Sequence, residues 1–334
     1  MNANAGRIPV LFCIDAEPDP RLVNRDAPEP WEGYEVTHRY LARLRPRIEE
    51  ATGSPVRYCW FFRMDPQIAE SYKSATWAAD RYPEFLEANA RHGDEAGIHT
   101  HAFRWREWDR TWVLDLGSQA WVEHCVGSSL EAFSRAFGRS CTSFRFGNRW
   151  LNTATVNFLE RMGVRHELTV EPGARGRRDT DTGEETTGPL PGFGRVPREP
   201  YAPSESDFRK PARDKLRKIQ MIPLTAAYRE GLRLSRRAWR FLRNGPRGRF
   251  QDTVLAPWMR WKPPNTFDRM IDRALNMQER PYLALVSRSD VGADRKLFER
   301  FEASVEAILA HPARDKFLFC TPAEALAMMQ PGGR

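Results

Sequence analysis

The sequence has no Cys-x-x-Cys pair, no apolar run long enough to span a membrane and no leader-like start. Its five cysteines (Cys13, Cys59, Cys125, Cys141, Cys320) are scattered and odd in number. Cys13, Cys59 and Cys320 lie in or beside apolar, strand-like runs, where cysteine usually serves as a small buried hydrophobe, and none is assigned chemistry. Met1 to Arg7 is short and polar and runs into one brief apolar strand, so the chain is expected to be cytoplasmic, without a transmembrane segment. No nucleic-acid-binding module is recognisable.

The 334 residues fit either two average domains or one α/β barrel, and a 41% apolar share suffices for a large core. The net charge of +8 is concentrated. Asp207 to Arg249 holds fourteen Lys and Arg against three acids, which leaves the rest of the chain slightly acidic. Within it, residues 226–243 read as a basic helix with Tyr228, Leu232, Trp239 and Leu242 near one face. Such a helix is either solvated or faces an anionic partner: a phosphate-bearing substrate, an acidic glycan, or lipid headgroups met in peripheral membrane contact.

Two stretches carry chemistry. Ile8 to Ile14 is an apolar run of strand length, and Asp15-Ala16-Glu17-Pro18-Asp19-Pro20 follows at once. Three carboxylates so close repel one another unless a cation, an arginine or solvent relieves them, and Asp19 is the one expected to be solvated. Farther on, Ala96 to Ile98 reads as a short buried strand that ends in His99-Thr100-His101. Side chains two apart on a strand share a face, so both imidazoles can meet one ion; they can equally be packed, hydrogen-bonded residues at a strand end.

Elsewhere strands and helices alternate. Helices are expected at Val36–Glu50, Ala75–Arg91 (interrupted near Pro83), Ser118–Phe137, Ala154–Met162, from Asn265 to about Glu279, and Arg295–Leu309. Strands are expected at Val56–Phe62, Thr142–Phe144, Val164–Val170, Ile219–Leu224, Pro281–Val286 and Phe317–Cys320. Polar clusters follow several of them: Arg63 to Pro66, Arg145 to Trp150, and Ser287 to Asp290. Trp105 to Trp112, rich in Trp and Arg, either lines a groove for sugar rings or anchors a long loop on the rim. Residues 173–206 read as an irregular excursion over the barrel mouth and 207–249 as a basic insertion. The alternation predicts one (β/α) barrel domain over 1–334, with its site at the C-terminal ends of the strands.

In this order the clusters resemble the polysaccharide deacetylase family, the NodB-homology carbohydrate esterases, from Ile8 to about Met329. Gly93-Asp94-Glu95-x-Gly97-x-His99 and the closing Phe317-x-Phe319-x-Thr321-Pro322-x-Glu324 carry the resemblance most clearly. It implies a distorted parallel (β/α) barrel of about seven strands and a metal-dependent hydrolase that removes N-acetyl groups from a sugar or polysaccharide precursor. The resemblance gives Asp15 as general base toward a water activated by the ion, and Glu17, His99 and His101 as ligands to a divalent metal, zinc by default. It also gives Arg145 as the clamp on the catalytic carboxylate and Trp150 as a wall of the pocket. Trp105 and Arg288 are added as substrate contacts.

Three departures stand out. Asp15-x-Glu17 is spaced where most members have adjacent acids, and the histidines are two apart rather than four. At the fifth motif, a general-acid histidine gives way to Val286-Ser287-Arg288-Ser289-Asp290. Asp290, His166, or Arg288 through a water can stand in for it. The last departure also admits a catalytically degenerate sugar-binding or assembly protein on the same barrel.

Overall fold

The computed structural model describes residues 6–178, 180, 183–213, 217–228, 252–261 and 266–330. Strand β1 (Ile8–Ala16) is buried along nearly its whole length, as befits a parallel strand covered on both faces. It pairs in parallel with β2 (Cys59–Arg63) on one side. On that same side, ahead of β2, it pairs with β12 (Phe317–Phe319), and on the other side with β11 (Leu283–Arg288). Beyond β2 the sheet runs through β3 (Glu95–Thr100), β6 (Ser143–Phe146), β7 (His166–Glu167) and β8 (Gln220–Met221), all parallel. After β8 the chain crosses to the first edge. There the Thr225 N–H donates to the Ala284 carbonyl at 2.9 Å, and the Ala284 N–H donates to Thr225 Oγ1 at 2.7 Å. One residue thus bridges the seam of a curled, distorted barrel.

Helices cover the outside. α1 (Glu32–Thr52) links β1 to β2, and α5 (Gln119–Phe137) and α6 (Thr153–Arg161) flank β6. α7 (Thr266–Asn276), α8 (Arg295–Ala310) and α9 (Pro322–Met329) complete the layer, the last opened by a reciprocal capping box between Thr321 and Glu324. The helix expected over Ala75–Arg91 with a break near Pro83 is two short ones, α3 (Trp77–Arg81) and α4 (Pro83–His92), and a further short helix, α2 (Pro66–Tyr72), precedes them. Pro66 and Pro83 each start a helix, where a missing N–H costs nothing.

Two further differences have local causes. Trp105 to Trp112 forms a hairpin, β4 (Phe103–Arg106) with β5 (Thr111–Leu114), in which Trp105 stands opposite Trp112. The basic helix expected at 226–243 does not begin there: Ala226–Tyr228 is a strand, β9, antiparallel to β10 (Asp252–Val254). Thr225 is already locked extended against Ala284, and its carbonyl accepts from the Leu255 N–H at 2.9 Å, so strand pairing overrides the helical periodicity. Residues 229–251, the rest of that helix, lie outside the described residues. No helix among the described residues is long and apolar enough to cross a membrane.

Strand periodicity positions the site. Leu11 and Cys13 of β1, Cys59 and Phe61 of β2, and Ala284 and Val286 of β11 point inward and form an apolar plug with Leu168, Ile222 and Leu224. The next inward residue on each of these strands is polar: Asp15, Arg63 and Arg288. The register sets Asp15 beside Arg288, Arg63 beside His99, and His99 beside Arg145. All five cysteines are buried, unbridged thiols.

Candidate metal centre

Glu17, His99 and His101 converge just above the apolar plug. The two Nε2 atoms are 3.0 Å apart, and Glu17 Oε2 is 3.6 Å from His101 Nε2 and 3.9 Å from His99 Nε2. Ligands to one zinc at 2.0–2.2 Å cannot be more than about 4.4 Å apart, so all three pairs are within reach of a single ion. The donor chemistry fits as well. Both Glu17 oxygens are buried and accept no hydrogen bond, a state that costs several kcal/mol unless a cation is present. Burial would raise this carboxyl; the Arg21 and Arg288 guanidiniums are among the groups that hold it well below the ordinary range. Burial, reinforced by Arg63, pushes His101 down to about 3, and burial also lowers His99, so both imidazoles are neutral ligands.

Neighbouring groups fix each ligand. The Glu17 N–H donates to Ser289 Oγ, and the Ser289 hydroxyl donates back to the Glu17 carbonyl, both at 3.0 Å. The His101 N–H donates to Asp65 Oδ2 at 3.0 Å, while Arg63, fully buried, bonds Asp65 through Nε at 2.5 Å and Nη2 at 3.0 Å. His101 Nδ1 lies 2.6 Å from Asn148 Oδ1; donation along that bond leaves Nε2 bare for a metal. Asn148 reaches it from a left-handed backbone, φ 54°, followed by Arg149 at φ 55°. Two consecutive non-glycine residues in that region are strained, as is common at functional sites.

Gly147 completes the cradle, because a Cβ there would overlap the His101 ring. Gly147→Ala is therefore expected to swing His101 away from Asn148 and to weaken metal binding about 10–100-fold, the cost typical of losing a ligand's orienting partner. Calorimetric zinc titration of the folded variant checks this, and wild-type affinity would refute it.

Beside the triad, Arg145 Nε and Nη2 bond the two oxygens of Asp15 at 2.7 and 3.0 Å, and Arg145 Nη1 also donates to the Leu168 carbonyl. Asp15, Glu17, His99, Arg145 and Arg288 open onto one cavity of about 330 Å³. Its remaining wall includes Trp258, which sequence reasoning missed; the Arg288 guanidinium lies 4.9 Å from the centre of that ring. Arg288 also bonds Asp290 at 3.0 Å. Trp105 packs on Trp112 at 5.1 Å and Trp150 on Phe146 at 5.0 Å, and neither lines the cavity. His166, near the start of β7 and 3.1 Å from Ser143 Oγ, does not line it either. Asp19, expected to be solvated, instead accepts from the Gly33 N–H at 3.0 Å, at the start of α1.

Glu167 supplies a pH effect separate from the triad. Fully buried with Oε2 unbonded, its carboxyl is pushed up to about 7 by burial. The folded chain thus keeps a proton that the unfolded chain releases. This contribution to stability is full below the ordinary carboxyl range and is lost as pH rises to 7, a fall of about 3 kcal/mol. Glu167→Gln is expected to remove most of that decline in denaturant titrations between pH 5 and 8; an unchanged decline would contradict the assignment.

No protein-family sequence model matches the chain, and no curated protein matches its sequence. Among solved structures it is similar to a protein described as a glycoside hydrolase/deacetylase from Parabacteroides distasonis. The TM-score is 0.59 at 13% identity, covering 97% of this chain and 72% of that one. It is also similar to one described as a polysaccharide deacetylase from Pseudomonas aeruginosa PAO1, with a TM-score of 0.51 at 11% identity over 99% of this chain and 94% of that one. The fold is therefore the distorted α/β barrel of these structures.

Proposed function

We propose that the protein is a metal-dependent hydrolase that removes N-acyl groups, acetyl first among them, from a sugar or polysaccharide precursor. The observation that carries this reading is the convergence of Glu17, His99 and His101 beside a carboxylate, Asp15, that Arg145 holds at two points. A divalent ion on the triad, zinc by default for two imidazoles and one carboxylate, would polarise the acyl carbonyl and make a water nucleophilic near neutral pH. Asp15 takes the proton of the attacking water, and its two bonds to Arg145 keep the carboxylate aimed into the cavity. Trp258 is the apolar platform for the sugar ring.

The departing amine needs a proton. Asp290 is assigned to hold it: burial and the nearby Glu17 charge push its carboxyl up to about 7 against the pull of Arg288. Arg288, which pairs with Asp290, lines the cavity and Asp290 does not, so a proton from Asp290 would need a water to reach the amine. The same arginine, standing where the resemblance implies a histidine, favours a second reading, a degenerate protein that binds sugar without turnover. Acetate release from N-acetylglucosamine oligomers decides between them. Release that stops on chelation and returns with zinc is expected; sugar binding without release by zinc-loaded protein would overturn the hydrolase reading.

A further inference from the structure

We propose that Arg288 is a catalytic residue, the donor that binds the acyl carbonyl oxygen and stabilises the charge that builds on it as water adds. The statement rests on the proposed hydrolase function and deepens it: the arginine at the fifth motif does chemistry instead of marking its loss. A guanidinium keeps its proton far above neutral pH, so it cannot do the work of the histidine that the resemblance implies there. What it supplies is a fixed positive charge with planar donors. As the water oxygen bonds to the acyl carbon, the π pair of the carbonyl moves onto its oxygen, and Arg288 shares an N–H with that oxygen without giving it up. Asp15 takes the water's proton. The pair returns when the carbon–nitrogen bond breaks, and the amine leaves with the proton held at Asp290.

The chain builds Arg288 into place. Strand register sets it beside Asp15, the proposed base, and both open onto the cavity. Its Nη2 lies 3.0 Å from Asp290 Oδ2, its Nε 4.0 Å from Glu17 Oε1, and its Cζ 4.9 Å from the centre of the Trp258 ring. The Nε–Nη2 edge thus faces two acids and one face lies on the indole, which fixes the plane of the fork. The approach to Glu17 is too long for a hydrogen bond. Nη1 takes part in none of these contacts, and the side chain keeps 18% of its surface at a position that lines the cavity. The backbone behind it is equally fixed. Ser289 clamps residue 17 through two bonds, and Thr37 Oγ1 donates to the Ser289 carbonyl at 3.0 Å. A Cβ on Gly292 would come within 2.3 Å of the Gly33 carbonyl oxygen, so the turn Ser289–Ala293 sits on the start of α1 without slack. A donor held in position beforehand needs no reorganisation when charge develops, the condition under which such a group contributes most.

The binding test uses metal-free protein, because sulfur has its own affinity for zinc, and compares N-acetylglucosamine with its N-thioacetyl analogue by calorimetry. Sulfur is a poor hydrogen-bond acceptor, so the pair isolates the contact to the acyl oxygen. Wild type is expected to favour the oxygen sugar by about tenfold or more, the worth of a hydrogen bond to a charged group. Arg288→Lys keeps the charge without the planar fork and should lose that preference. In zinc-loaded protein the same variant is expected to lower kcat by about 10²–10³-fold, the cost of one oxyanion donor, with KM within about threefold of wild type and zinc content unchanged. Arg288→Gln serves as the second variant if the first does not fold by circular dichroism. A wild type that binds both sugars equally would overturn the assignment, as would a preference that survives in a folded variant. So would an Arg288→Lys kcat within about threefold of wild type, since charge alone would then suffice. Acetate release together with a preference that survives both variants would remove Arg288 and leave the hydrolase reading standing. A preference lost in the variants, with no acetate release by wild type, would keep the contact to the acyl oxygen and remove the hydrolase reading.

Discussion

Asp15→Asn is expected to lower acyl release by 10²–10⁴-fold, the range for losing a general base, in protein that still takes up metal. The two properties separate because Asp15 stands apart from the triad: its Oδ1 is 3.8 Å from His99 Nδ1, and both its oxygens are occupied by Arg145. Asparagine has the same shape and keeps one acceptor for the guanidinium, so the carboxamide stays in place without the ability to take a proton. The variant also leaves Arg145, buried, with one bond fewer, and a loss of stability accompanies the loss of rate. Metal content and melting temperature must therefore be measured on the same preparation as acetate release. Activity within tenfold of wild type, at equal metal content, would remove Asp15 from the mechanism.

Asp94→Ala is expected to destabilise the fold by about 3–5 kcal/mol without altering any residue of the cavity, the usual cost of stripping one partner from a buried ion pair. The Asp94 side chain is fully covered. It accepts twice from Arg45 Nη2 at 3.0 and 2.8 Å, once from the Tyr58 N–H at 3.0 Å and once from Trp60 Nε1 at 3.1 Å. Arg45 comes from α1, Tyr58 and Trp60 from the approach to β2 and β2 itself, so one carboxylate, between α4 and β3, ties α1 to β2. Removing it strands a buried guanidinium that also lies 4.6 Å from the Tyr58 ring centre. Urea unfolding is the check, and Asp94→Asn, which keeps an acceptor, should lose less. A change below about 1 kcal/mol for the alanine variant would show that surface-type screening prevails at this pair.

That network explains why the stretch before the histidines was legible as a motif but not as a mechanism. Gly93 ends α4 in the left-handed conformation, φ 71°, where glycine carries no steric cost. Asp94 ties α1 to β2, and Glu95 accepts from Ser143 Oγ at 2.5 Å. Gly97 has no room for a Cβ, which would come within 2.5 Å of the Ser143 carbonyl oxygen and 2.8 Å of the Phe61 ring. Only His99 and His101 reach the site, and the residues before them hold β3 against β2 and β6.

The barrel and its polar layer were readable because parallel strands alternate with helices and because a period of two carries inward residues to the same rim. His99 and His101 follow from that geometry and Asp15 from its place at a strand end, whereas the roles of Glu17 and Arg145 come from the family resemblance. Residues whose role depends on contacts distant in sequence were not readable. Ser289 clamps residue 17 across 272 positions, Asn148 acts through a left-handed turn, and Trp258 follows a segment without a strand signal. Trp105 shows where composition leaves two readings open: the segment suits a sugar groove as well as a rim anchor, and in the fold Trp105 packs on Trp112 across a hairpin.

The central claim is that Glu17, His99 and His101 hold a divalent ion, and elemental analysis of wild type and of the His99→Ala/His101→Ala variant tests it most directly. Near-stoichiometric metal in wild type after zinc reconstitution, lost in a double variant whose circular dichroism matches wild type, is the predicted result. A wild type that stays metal-free after reconstitution, or a folded double variant that keeps its metal, would contradict it.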